Sequence, residues 1–194
     1  MTAIGNALHL YGQTVERVER ATADWLPGLF ARVTFLAVLY PYFLNSAMTK
    51  VGPGLLGFFQ IQPSAYYQIA LPAVEAAGGD VSAVPLLPWG LIVIAGTYAE
   101  FILPLLLVLG LFTRIAAIGM IGFVAVQTLV DITVHQVDAA TIGALFDRFP
   151  DSLIADQRLL WLSLFVYLAV RGAGLVSLDA ILWGRVHAEA GQTA

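Results

Sequence analysis

The chain of 194 residues is 59% hydrophobic and 11% charged, against roughly 45–50% apolar and about 25% charged in an ordinary soluble domain. Its net charge is −4 and it carries no basic stripe, so nucleic acid is not expected as a partner. Cysteine is absent, which excludes disulfides, cysteine-ligated iron–sulfur clusters and covalent haem attachment.

The charge is segmented, with long uncharged runs between short polar stretches. Apolar runs of about 18 or more residues read as transmembrane helices, so the expected class is all-α: an integral membrane four-helix bundle with the lipid bilayer as its first partner. Residues 1–28 show no compact apolar core followed by a cleavage site, so no signal peptide is expected. Eight Arg against one Lys in an Ala-rich chain fits a bacterial genome.

Residues 6–26 mix Leu8, Val15, Val18 and Trp25 with Glu16, Arg17, Glu19 and Arg20, a pattern predicting a helix on the membrane surface. The chain is therefore divided into an interfacial segment (1–28), a four-span domain (29–171) and an interfacial tail (172–194). The first span runs about Leu29–Thr49, with Arg32 near its start and Pro41 inside. The connection 51–85 carries only Glu75 and Asp80 and reads as interfacial cover. The second span, about Leu86–Leu111, holds Glu100 and Pro104. A tight turn at "GLFTR" leads to the third, about Arg114–His135, with Gln127 and Asp131. The acidic connection 136–157 precedes the fourth span, about Leu153–Val170. Beyond it, Ser177 is a candidate N-cap with Asp179 in the first turn.

Orientation follows the basic residues. With the N-terminus inside, the inner side holds Arg17, Arg20, Arg32, Arg114, Arg171 and Arg185, and the outer side only Lys50, Arg148 and Arg158. The expected location is the bacterial inner (cytoplasmic) membrane, multi-pass, with both termini cytoplasmic.

A helical rise of about 1.5 Å per residue gives each polar group a depth. Glu100 falls about 18 Å from the inner boundary, Gln127 about 20 Å, Tyr40 about 17 Å, and Trp161 and Ser163 about 12–15 Å. A second layer, nearer the outside, holds Asn45, Ser46, Thr49, Lys50, Thr97, Asp131, His135 and Arg158. Gln127, Asp131 and His135, spaced i, i+4, i+8, share one helix face. Pro104 cannot donate to the carbonyl of Glu100, nor Pro41 to that of Ala37.

No basic residue is evident at the depth of Glu100, an expensive place for an isolated charge. The sequence therefore predicts a neutral carboxyl group. It either bonds Tyr40 or Gln127 as helix-joining glue or moves protons. Asp131 with His135 reads as a proton relay, a head-group ligand, or simply a wet helix end. Arg158 either pairs with Asp131 or Asp156, or snorkels. Arg114 reads as a topology anchor. His9, His135 and His187 lie too far apart to ligate one haem, and no metal site is expected.

Four pieces together resemble the DoxX family: Glu100-x3-Pro104 followed by "LGLFTR" ending at Arg114, "SAMTK" closing the first span, "LLWLSLFVYLAVRG" in the fourth, and "GAGLVSLD" after it. The resemblance covers residues 30–183 and implies a small four-helix bacterial or archaeal membrane protein. Some members are subunits of thiosulfate:quinone oxidoreductase, and others accompany thiol or oxidative-stress enzymes. Relatives with the "VPLLP … E … P" pattern accompany metallophore-type peptide maturation genes. Lys50, Glu100 and Arg114 carry over by match. Where relatives have a His before "LLW", this chain has Arg158.

The leading expectation is a membrane subunit of a quinone-linked oxidoreductase. Glu100, Asp131 and His135 would exchange protons, and Tyr40, Gln127 and Trp161 would share the head-group layers. Lys50 and Arg158 would hold the outer rim, with quinone as the non-covalent cofactor. The alternative is a non-catalytic scaffold for a redox or maturation protein partner. A solute or proton conductor would require a homo-oligomer.

Overall fold

The computed structural model describes residues 3–184 and is helical throughout, apart from one isolated bridge between Val51 and Ile61. Arg185 and His187, part of the expected tail, lie outside the described residues. Helix α1 (Ala3–Thr22) is exposed along most of its length. Its Leu8, Tyr11 and Val18 are all more than half exposed, as an interfacial helix requires.

The first span is broken. Helices α2 (Leu26–Val38) and α3 (Tyr40–Met48) meet at a 43° bend. Pro41 explains it: its missing N–H leaves the carbonyl of Ala37 unbonded, and its ring crowds that turn. The connection then packs three short helices, α4 (Gly54–Gly57), α5 (Pro63–Ile69) and α6 (Leu71–Ala76), over one end of the bundle. Tyr98 reaches into this cover, its hydroxyl donating to the Phe58 carbonyl at 3.0 Å.

The second span, Leu86–Leu109, begins with a wide turn and continues as α7 (Leu91–Leu109). Gly110 and Phe112, with φ of 65° and 48°, reverse the chain into α8 (Thr113–Thr133). Short α9 (Ala139–Ile142) follows, capped by Asp138, which accepts from the Thr141 amide at 2.8 Å. That bond holds the Asp138 carboxyl below the usual aspartate range. The last span, Leu153–Arg171, opens with another wide turn and continues as α10 (Arg158–Arg171).

Three helices are thus long and apolar enough to cross a membrane, and the bent α2–α3 pair is so when its two helices are taken together. The large apolar residues on the outer faces, such as Ile115, Leu129 and Leu160, are exposed as a lipid-facing surface demands. Inside, Phe35, Phe43, Phe165, Leu107, Met120 and Leu168 form the core where α2, α3, α7, α8 and α10 meet. Phe35 and Phe165 pack edge-on at 5.8 Å.

One end of the bundle is closed by the segment after α10. Arg32, nearly buried, donates to the carbonyls of Leu107 and Val108 at 3.1 and 2.7 Å and to that of Val176 at 2.5 Å. Asp179 accepts from the amides of Phe112 and Thr113 at 2.7 and 2.9 Å, so it caps α8 rather than its own helix. Gly28 permits this docking: a Cβ there would stand 2.5 Å from the Ala173 carbonyl oxygen. Gly28→Ala is expected to lower stability by about 1–3 kcal/mol, read as a reduced thermal midpoint in detergent.

Candidate functional site

At the opposite end, a cavity of about 660 Å³ opens between α3, α7 and α8. Its volume falls within the roughly 300–1,000 Å³ of small-molecule sites. Ala95, Gly96, Ala99, Gly119 and Gly122 line it, and their short side chains leave its volume unfilled. At Gly122 an added Cβ would meet nothing within 4 Å.

Glu100 lies in the wall of this cavity, 6% exposed, and it is not alone. Lys50, 3% exposed, places Nζ at 2.7 Å from Glu100 Oε2. The same ammonium donates to the Ser46 hydroxyl at 2.8 Å and to the Ser46 carbonyl at 3.1 Å, while the hydroxyl donates to Glu100 Oε1 at 3.1 Å. This corrects the expectation that no basic residue reaches Glu100. Lys50 begins at the rim, but its four-carbon stem folds back one helical turn onto Ser46. Lys50 is thus a buried partner of the acid rather than a surface anchor. Neither Tyr40 nor Gln127 is bonded to Glu100; Ser46 and Lys50 take those places.

Gln127 lines the cavity, and its Nε2 donates to the Tyr42 hydroxyl at 3.0 Å. Its Oε1 is buried without a partner. Tyr42 lines the cavity and Tyr40 does not, since residues two apart lie about 200° from each other around a helix. Tyr40 packs against the core cluster instead. Trp161 stays outside the cavity wall and backs it, its ring 5.3 Å from Tyr42 and 6.0 Å from Phe43.

Asp131 and His135 also line the cavity, near its mouth. Asp131 is ion-paired with Arg158, and Arg158 donates in addition to the Thr128 hydroxyl at 2.7 Å. Arg158 is 7% exposed and joins α8 to α10 behind the cavity, so it neither snorkels nor forms a rim. Asp156 is occupied elsewhere, accepting from the Ser152 amide and hydroxyl. His135 is exposed, with Nε2 at 3.3 Å from the Gln68 carbonyl oxygen.

The sequence-derived set thus divides. Glu100, Lys50, Gln127, Asp131 and His135 share one cavity, while Arg158, Trp161 and Tyr40 surround it at one remove. Tyr42 and Gln68 join the site without having been singled out for it. Ser46 joins it from the outer polar layer, four residues before Lys50 on the same helical face.

Chemically, the site is an apolar cavity with a few convergent polar groups. It offers one compensated buried ion pair, one unpartnered amide oxygen, and a carboxylate and imidazole at the mouth. The DoxX family model matches residues 29–136, from α2 through the end of the third span. Lys50, Glu100, Gln127, Asp131 and His135 all fall inside that match, and Arg158 falls beyond it. No curated protein and no solved structure matches the chain.

Proposed function

The chain belongs to the DoxX family, and we propose that it acts as the membrane subunit of a quinone-linked oxidoreductase system, with the quinone head group seated in the cavity between α3, α7 and α8. The observation that carries this reading is that five polar groups chosen from the sequence line a single cavity of about 660 Å³. The residues fit such a group: apolar small side chains admit a flat ring, and the orphaned Gln127 Oε1 is an acceptor for a quinol hydroxyl.

When bound, the quinone supplies two-electron, two-proton carrier chemistry, with the electrons delivered by a partner protein. The side chains of this chain hold and move protons. Each Glu100 oxygen already accepts one bond, from Ser46 or from Lys50, and keeps a lone pair for a further proton. Lys50 compensates the carboxylate charge whenever Glu100 is deprotonated. His135, exposed at the mouth, is the imidazole placed between the cavity and water. Asp131, paired with Arg158, fixes the side of that mouth against α10.

Orientation and location form part of the proposal. Arg17, Arg20, Arg114 and Arg171 favour the end closed by Arg32 as the inner side of a bacterial cytoplasmic membrane. Arg32, Lys50 and Arg158 are buried in internal bonds and count less as topological signals. Reporter fusions at residues 60 and 145 are expected to read as external.

The test is retention of a short-chain benzoquinone by the purified protein. Near-stoichiometric binding is expected for the native chain. Gly122→Phe, which fills the cavity from an open position, is expected to abolish binding without moving the thermal midpoint. Undiminished binding in that variant would remove the cavity from the mechanism. The competing reading is a non-catalytic scaffold for a redox or peptide-maturation enzyme. One observation favours it: all three Lys50 donors are already satisfied, as static helix-joining glue would be. That reading predicts no quinone in any preparation.

A further inference from the structure

The end closed by Arg32 carries a second, smaller cavity that the proposed quinone chemistry does not use. It measures about 250 Å³ and is lined by Asp24, Gly28, Arg114, Tyr167, Arg171 and Gly174, among others. Arg114 is the second residue of α8 and Arg171 the last of α10, so both guanidinium groups sit where spanning helices leave the hydrocarbon. Both line the cavity, and the Arg114 side chain lies against the residue after Arg171: a Cβ at Gly172 would stand 3.5 Å from Arg114 Nε. Among the described residues, neither arginine forms an ion pair or a side-chain hydrogen bond, whereas Arg32, a few residues away in space, donates three.

The N-terminus of α8 is already met by the Asp179 carboxylate, which leaves the two guanidinium groups as the uncompensated charge. A bound anion between Arg114 and Arg171 supplies the counter-charge that neither has among the described residues. Asp24 adds a carboxylate to the same cavity, so the complementary ligand is an anion carrying a hydrogen-bond donor. Tyr167 and Val170 continue the wall along α10 towards the membrane interior, and Val170 is 63% exposed. That gives the anion an apolar extension running down the lipid face.

We propose that this cavity is a phospholipid head-group site: Arg114 and Arg171 hold the phosphate, Asp24 accepts from a head-group ammonium or hydroxyl, and an acyl chain follows Tyr167 and Val170. The shared chemistry is a phosphate, whose sources are a lipid or free inorganic phosphate. The depth of the arginines and the apolar extension select the lipid.

The experiment is native mass spectrometry of the full chain from nanodiscs with equal phosphatidylethanolamine, phosphatidylglycerol and phosphatidylcholine. The native chain is expected to retain phosphatidylethanolamine or phosphatidylglycerol over phosphatidylcholine, whose head group has no donor. Arg114→Gln with Arg171→Gln is expected to cut retention by roughly tenfold or more, and Asp24→Asn to erode the discrimination. Equal retention of all three lipids by the native chain overturns the proposal without recourse to any variant. So does unchanged retention in the double variant, or displacement of the lipid by millimolar inorganic phosphate. None of these outcomes bears on the quinone cavity at the other end.

Discussion

Replacing Lys50 with methionine is expected to destabilise the protein by about 3–5 kcal/mol, the cost of leaving one member of a buried ion pair without its partner. Lys50 and Glu100 are 3% and 6% exposed, and their charged atoms stand 2.7 Å apart. Removing the ammonium also strips the Ser46 hydroxyl and carbonyl of a donor. Glu100→Gln keeps the shape of the acid, and its amide retains bonds to Ser46, but it leaves the lysine uncompensated. The double substitution Lys50→Met with Glu100→Gln removes both charges and is expected to recover most of the loss. A double-mutant cycle on thermal or denaturant unfolding in detergent measures the coupling. Additive single effects would show that the two groups do not interact. The same cycle, read on quinone-coupled turnover in membranes, separates the roles: structural glue is restored in the double variant, whereas proton exchange is not.

The second large effect is expected at Arg32. Its three donors reach the carbonyls of Leu107 and Val108 at the end of α7 and of Val176 in the closing segment. Hydrogen bonds to charged groups contribute about 1.5–3 kcal/mol each, and the carbonyls left behind are partly buried. Arg32→Ala is expected to cost about 3 kcal/mol or more. It should also release residues 173–184, seen as faster amide exchange there and at Phe112 and Thr113, whose cap is Asp179. Arg32→Lys keeps the charge but not the planar fork, so partial rescue is expected. Uniform exchange along the closing segment in both variants would show that Arg32 does not hold it.

Much of the architecture was readable because a membrane forces local solutions. With no water to bond exposed backbone, spans must satisfy their own amides, so apolar length alone announces helices. The break at Pro41 and the turn at Gly110–Phe112 follow from residue chemistry in the same way. Gln127, Asp131 and His135, read as one face from their spacing, all line one cavity. The depth estimate failed for Lys50 because it placed backbones and ignored the reach of a long side chain. Depth also says nothing of facing, and Tyr40 turns to the core while Tyr42 lines the cavity.

By itself, then, the sequence determined an all-helical membrane protein of the DoxX family and the residues worth suspecting, since each rests on interactions within a few turns of chain. Only the tertiary structure decided which suspects meet. Lys50 finds Glu100 across α3 and α7, Arg158 finds Asp131 across α8 and α10, and Arg32 bonds carbonyls 75 and 144 residues further along. Those pairings depend on how helix faces pack, and a face carries no mark of its partner until the spaces between side chains are filled.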